Sequence, residues 1–159
     1  MRLGGVHQEY NLHHDSNPAG ATTILREEGM KPIELLVVDN SIGDICLIRQ
    51  ALADEPYPIN VRVAADGRRA RQMLDAKDMQ PDLVILDLNL PKRSGLSVLE
   101  STDPYVPVVV FTSLSNPNHR RAAFELGVVD YVEKPSHPTE FVEAVSHIVR
   151  QWATASQLA

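Results

Sequence analysis

Five short apolar runs, at residues 33–38, 59–64, 83–86, 106–111 and 128–132, constrain the fold of this 159-residue chain more than any other feature. Each is rich in Val, Ile or Leu and bounded by Asp, Gly, Pro or Ser, as expected of strands buried mostly on both faces. Segments of helical spacing follow them at about 42–53, 66–77, 95–101, 117–126 and 138–152. The last is the clearest, because Phe141, Val142, Val145, Ile148, Val149 and Trp152 fall on one helical face. Pro138 suits its first turn, and Asn116-Pro117 opens the preceding helix in the same way. Strand and helix alternate throughout, which predicts an α/β fold: a parallel sheet with right-handed crossovers and helices on both faces. Aromatics are only 5% of the chain against 43% apolar residues in all, so the core must rest on aliphatic side chains.

The strand ends carry the chemistry. Asp87 closes the run Asp82-Leu-Val-Ile-Leu-Asp87, Thr112 closes Val108-Val-Val-Phe-Thr112, and Lys134-Pro135 follows the last strand. Strands of a parallel sheet bring their last residues to one edge, where such folds bind ligands. A carboxylate nucleophile, a hydroxyl for a phosphoryl oxygen and an ammonium for its charge make a phosphorylation site. Asp87 is the expected phosphoacceptor.

Other features narrow the class. A net charge of −6 argues against non-specific nucleic-acid binding. The single Cys46 excludes an internal disulfide and fits a reducing compartment; it is expected to pack in the core beside Ile42 and Ile45. No run approaches the roughly 18 apolar residues of a membrane span, and the first residues lack the apolar core expected of a signal peptide. A cytoplasmic protein is expected. Residues 1–31 show no sustained period and are expected to be a disordered tail, with Met30 an alternative start. His7, His13 and His14 lack the ligand spacing of a metal site. One domain over 32–152 and a short tail over 153–159 complete the organisation.

Four motifs, Leu36-Val-Val-Asp39-Asn40, Asp87-Leu-Asn-Leu-Pro91, Thr112-Ser113 and Tyr131-Val-Glu-Lys134-Pro135, stand in order at strand ends. Together they resemble the receiver domain of two-component response regulators, over about Pro32 to Trp152. The run from Asp87 to Lys92 and the closing Gln151-Trp152 are similar to the small regulators that serve bacterial phytochromes. The resemblance implies a doubly wound, flavodoxin-like, five-stranded sheet of order 2-1-3-4-5. It implies that a histidine kinase phosphorylates Asp87, that Thr112 binds a phosphoryl oxygen, and that Lys134 pairs first with Asp87 and then with the phosphoryl group. Asp39, Asp87 and the backbone carbonyl of Asn89 would hold a divalent cation, for which Mg²⁺ is the natural choice. Pro135 would follow a cis peptide, and Tyr131 would be the aromatic that swings inward on switching. A signalling role follows, with no enzymatic activity beyond self-phosphorylation and slow self-dephosphorylation. The downstream target is a protein that the sequence does not name. No output domain is recognisable after Trp152, so a stand-alone receiver is expected, homodimerising through its fourth and fifth helices or around Trp152.

Asn40 departs from that pattern, in which an acid stands at this position as a direct metal ligand. Its amide brings no charge, and Asp44, a turn into the helix, reads as too far away to help. Weakened but real Mg²⁺-dependent phosphorylation is expected; the rival is a pseudo-receiver that binds partners without efficient phosphorylation. An aspartyl-nucleophile phosphatase would need a second acid at position 89, where Asn89 stands, and the loop from Asp39 to Asp44 is not the phosphate loop of a flavin site. His119-Arg120-Arg121 reads as a solvated helix face, and Trp152 as either a core cap or an interface anchor.

Overall fold

A computed structural model describes residues 30–78, 80–91, 94–113 and 116–153. Strands β1 (Ile33–Val38), β2 (Ile59–Ala64), β3 (Leu83–Leu86), β4 (Val108–Thr112) and β5 (Asp130–Glu133) alternate with five helices. These are α1 (Ile42–Ala53), α2 (Gly67–Asp75), α3 (Gly95–Leu99), α4 (Pro117–Glu125) and α5 (Pro138–Ile148), the last continuing into a π-helical turn over Val149–Ala153. The five strands form one parallel sheet in the order β2-β1-β3-β4-β5, as the resemblance implied. The tail expected before residue 30, with its histidines, and residues 154–159 lie outside the described residues.

Period-two alternation splits each strand between two cores. Ile33, Leu35 and Val37 of β1, with Ile85, Val109 and Phe111, pack under α1 and α5. Leu36 and Val38, with Val84, Leu86 and Val110, pack under α2, α3 and α4. At roughly 25 cal/mol per Å² of apolar area removed from water, each fully buried Val, Leu or Ile contributes about 1.5–3 kcal/mol. This double layer is what holds the strand ends in register.

Helix starts follow local chemistry. Ser41, Asp66 and Asn116 accept hydrogen bonds from the backbone N–H groups of Asp44, Arg69 and Asn118. Prolines stand in the first turns of α4 and α5. Two strands begin later than their sequence pattern suggests. Pro107 has no N–H to donate, so β4 opens at Val108. Gly127, at φ +94°, caps α4: its own N–H donates to the Phe124 carbonyl and that of Val128 to the Ala123 carbonyl. Val128 is thereby spent on the helix end and β5 starts at Asp130.

The expectation for Cys46 fails. Ile48, Ala51 and Leu52 form the buried stripe of α1, and Cys46, about 200° around the helix from Ile48 at 100° per residue, is exposed. Ile42 is exposed too. Trp152 resolves the other way: it is half-buried against the α1–α5 core.

Candidate functional site

Backbone pairing brings the acids, the hydroxyl and the lysine together before any side chain acts. Asp87 N–H donates to the Val38 carbonyl at 2.8 Å, and Asp39 N–H donates to the Ala64 carbonyl at 3.0 Å. Lys134 N–H donates to the Thr112 carbonyl at 2.8 Å. The end of β1 is thus tied to those of β2 and β3, and the end of β5 to that of β4. Asp39, Asp87 and Thr112 are all buried, at 2%, 5% and 0% exposure, so each polar atom needs a partner.

Each carboxylate oxygen of Asp87 has a defined role. Oδ1 accepts the Thr112 hydroxyl at 2.8 Å and the Asn89 N–H at 3.0 Å. Oδ2 accepts the Lys134 ammonium at 2.8 Å. The same ammonium donates to Asp39 Oδ2 and to Asp44 Oδ2, both at 2.7 Å. Asp39 Oδ1 accepts the Ser41 N–H at 2.8 Å. Three carboxylates therefore converge on one nitrogen. Burial opposes the Lys134 charge, but the hydrogen bonds to Asp39, Asp44 and Asp87 outweigh it and raise the ammonium above the usual lysine range. Burial pushes the Asp39 carboxyl up, against its hydrogen bonds to Lys134 and the Ser41 N–H. The pocket holds its acids at a cost, and the ammonium limits that cost.

Two expectations need correction here. The described residues contain no cis peptide, so Lys134-Pro135 is trans; the ammonium reaches all three acids from a trans backbone anchored on Thr112. Asp44 is not too far: the first turn of α1, capped by Ser41, carries it onto Lys134. Asn40, beside Asp39, is exposed.

Tyr131 lies inward at 7% exposure, on the sheet face that also buries Val110. The Arg120 guanidinium covers its ring at 5.5 Å and that of Phe124 at 5.3 Å, and donates to the Tyr131 carbonyl at 3.4 Å. The His119-Arg120-Arg121 segment is thus more than a solvated face. Its packing was not legible because it joins α4 to a strand 11 residues away. A second polar cluster, also missed, lies away from the acids: fully buried Glu55 accepts Arg150 Nε at 3.1 Å and raises, after burial itself, the Tyr57 phenol to about 12. An open cavity of about 940 Å³, lined by Lys31, Glu34, Arg62 and Asp82 among others, opens at the ends where β1 and β3 begin. It holds none of the site residues.

Among the described residues no three His, Cys, Asp or Glu side chains form a ready cage, since an ammonium sits at their centre. The two buried carboxylates of Asp39 and Asp87 are nevertheless oxygen donors of the kind that suits Mg²⁺, which takes one or two carboxylates and keeps several waters.

Residues 35–146 match the family model described as the response regulator receiver domain, and the chain belongs to that family. A protein-glutamate methylesterase/protein-glutamine glutaminase of Myxococcus xanthus is 38% identical over 117 residues, covering 71% of this chain and 33% of that protein. The chain thus spans about a third of such relatives. A phosphorylated cyanobacterial phytochrome response regulator, RcpA, superposes with a TM-score of 0.73 at 32% identity, over 77% of this chain and 94% of that one. The Mn²⁺-bound response regulator Rcp1 superposes with a TM-score of 0.71 at 29% identity, over 77% and 95%. The chain is a signalling module of the two-component type. No helix among the described residues is long and apolar enough to cross a membrane.

Proposed function

We propose that this receiver takes a phosphoryl group onto Asp87 from the phosphohistidine of a histidine kinase and signals through a surface change beside Thr112 and Tyr131. One observation carries the reading: a buried carboxylate at a strand end has the Thr112 hydroxyl on one oxygen and the Lys134 ammonium on the other. An Asp87 oxygen attacks phosphorus; the P–O bond forms as the P–N bond breaks, and its electron pair returns to the imidazole. The three phosphoryl oxygens then offer the better acceptors. Thr112 turns its proton to one of them and Lys134 moves its ammonium to another, which offsets the charge of the transfer. Asp39, Asp87 and the Asn89 carbonyl would hold Mg²⁺, which supplies further positive charge beside the transferring group when bound. Thr112 and Tyr131 share a sheet face, so movement of the hydroxyl changes the packing behind the Tyr131 ring.

The test is direct. Incubation with acetyl phosphate and Mg²⁺ should add one phosphoryl mass to the wild type and none to Asp87→Asn. Equal adducts on both would remove Asp87 from the role, and no adduct at any Mg²⁺ concentration would favour a pseudo-receiver. Self-association through α4 and α5, where Phe124 and Leu126 are exposed, is proposed alongside; sedimentation showing monomers with and without phosphorylation would reject it.

A further inference from the structure

Asn40 leaves the loop after β1 with one carboxylate where a cation-dependent phosphorylation pocket profits from two. The structure supplies a third acid from elsewhere. Asp44 Oδ2 lies 2.7 Å from Lys134 Nζ, as close as Asp39 Oδ2 at 2.7 Å and Asp87 Oδ2 at 2.8 Å. Three carboxylate oxygens thus lie on one small sphere around a single nitrogen. The Lys134 side chain is 6% exposed and that of Asp44 30%, so Asp44 forms the rim of the pocket over a buried ammonium.

The local sequence supports this placement. Ser41 caps α1 by accepting the Asp44 N–H at 3.3 Å, while Ser41 N–H donates to Asp39 Oδ1 at 2.8 Å. One serine therefore fixes both the loop acid and the first-turn acid. We propose that Asp44 supplies the negative charge that Asn40 lacks, acting on the phosphorylation pocket through the Lys134 ammonium. The inference rests on reading Asp87 as the phosphoacceptor.

The charge count gives it force. Three carboxylates and one ammonium leave the pocket two negative charges, matched to a divalent cation; without Asp44 only one remains. Asp44 also gives the ammonium a partner that does not compete for the phosphoryl group. When Lys134 swings from Asp87 toward a phosphoryl oxygen, its bond to the rim acid keeps it at the pocket mouth. Asp44 is thus a positioning residue. A merely structural Asp44, favourable at the positive end of α1, would do none of this.

The experiment uses the full chain and four proteins: wild type, Asp44→Asn, Asn40→Asp and the double variant. Mg²⁺ affinity is read by titration calorimetry, and the initial rate of Asp87 labelling by acetyl phosphate at low Mg²⁺ by intact mass. Asp44→Asn should weaken Mg²⁺ binding about tenfold, the order expected for one unit charge acting on a divalent ion across a partly solvated gap. Labelling at low Mg²⁺ should slow to match. The double variant should return to within about twofold of wild type, because a carboxylate at 40 restores the charge count; a lost structural contact would not be rescued from that position. Asp44→Asn binding Mg²⁺ as tightly as wild type overturns the inference, as does a double variant no better than Asp44→Asn. Wild type that binds Mg²⁺ but takes no label on Asp87 would defeat the phosphoacceptor reading, while the calorimetric cycle would still decide the role of Asp44. Wild type that does not bind Mg²⁺ defeats the inference.

Discussion

Replacing Lys134 by Met tests the pocket most severely, because it removes the one cation that three acids share and keeps the aliphatic bulk. A pair at 2.7–2.8 Å interacts by roughly 6 kcal/mol at an effective dielectric near 20. Two such pairs, to Asp39 and Asp87, are buried; the third, to Asp44, is nearly a third exposed and is discounted. Desolvation of the ammonium and repulsion among the acids consume most of this gross figure. What remains on truncation is the cost of stranded charge, about 3–5 kcal/mol for a broken buried pair. For a domain of this size that lowers the melting temperature by roughly 10–20 °C.

The pH dependence supplies the sign. Burial already raises the Asp39 carboxyl with Lys134 in place, and without it the rise must be larger. A raised acid stabilises the fold when protonated, fully below its unfolded value and not at all above its folded one. The variant should therefore regain stability as pH falls from 7.5 to 5, by up to about 1.4 kcal/mol per pH unit for each carboxyl that binds a proton. Saturating Mg²⁺ should also restore about 2.7 kcal/mol at a hundred times its dissociation constant. Calorimetric melting of both proteins at pH 5, 6 and 7.5, with EDTA and with Mg²⁺, reads every arm. A variant that melts within 2 °C of wild type at pH 7.5, with neither pH nor Mg²⁺ rescue, would refute the reasoning.

Gly95→Ala should destabilise by about 3 kcal/mol, since a Cβ there would meet Leu88 Cα at 2.6 Å and the Asp87 carbonyl oxygen at 2.8 Å, both backbone that cannot turn aside. The displaced strand-end loop should also slow Asp87 labelling, and a variant that melts within 2 °C of wild type would count against that packing. Tyr57 should ionise near pH 12, through burial first and the Glu55 charge second; burial raises the Tyr131 phenol as well, so the late step at 295 nm that belongs to Tyr57 is the one that Tyr57→Phe removes. Because a raised phenol favours the fold while neutral, that contribution holds below about pH 10 and fades as pH climbs toward 12, together with that of Lys134.

Local rules decided much of this protein. Buried parallel strands must be short aliphatic runs, so β1 and β3 begin and end where their composition changes, and the residues at the strand ends are the proposed nucleophile and its helpers. Asp87, Thr112 and Lys134 were legible because a strand end is a local property and a parallel sheet gathers such ends at one edge. The two strands that slid were governed by backbone donors, a missing one at Pro107 and a diverted one at Val128, which side-chain pattern does not record. Cys46 failed because a short amphipathic helix admits two phases, and only packing against α5 chooses between them. The partnerships of Asp44 with Lys134 and Glu55 with Arg150 join residues 90 and 95 positions apart. No periodicity carries such a pairing. Charge in a buried site depends on which groups the fold brings within a few ångströms, and that distance exists only once the sheet has closed over its helices.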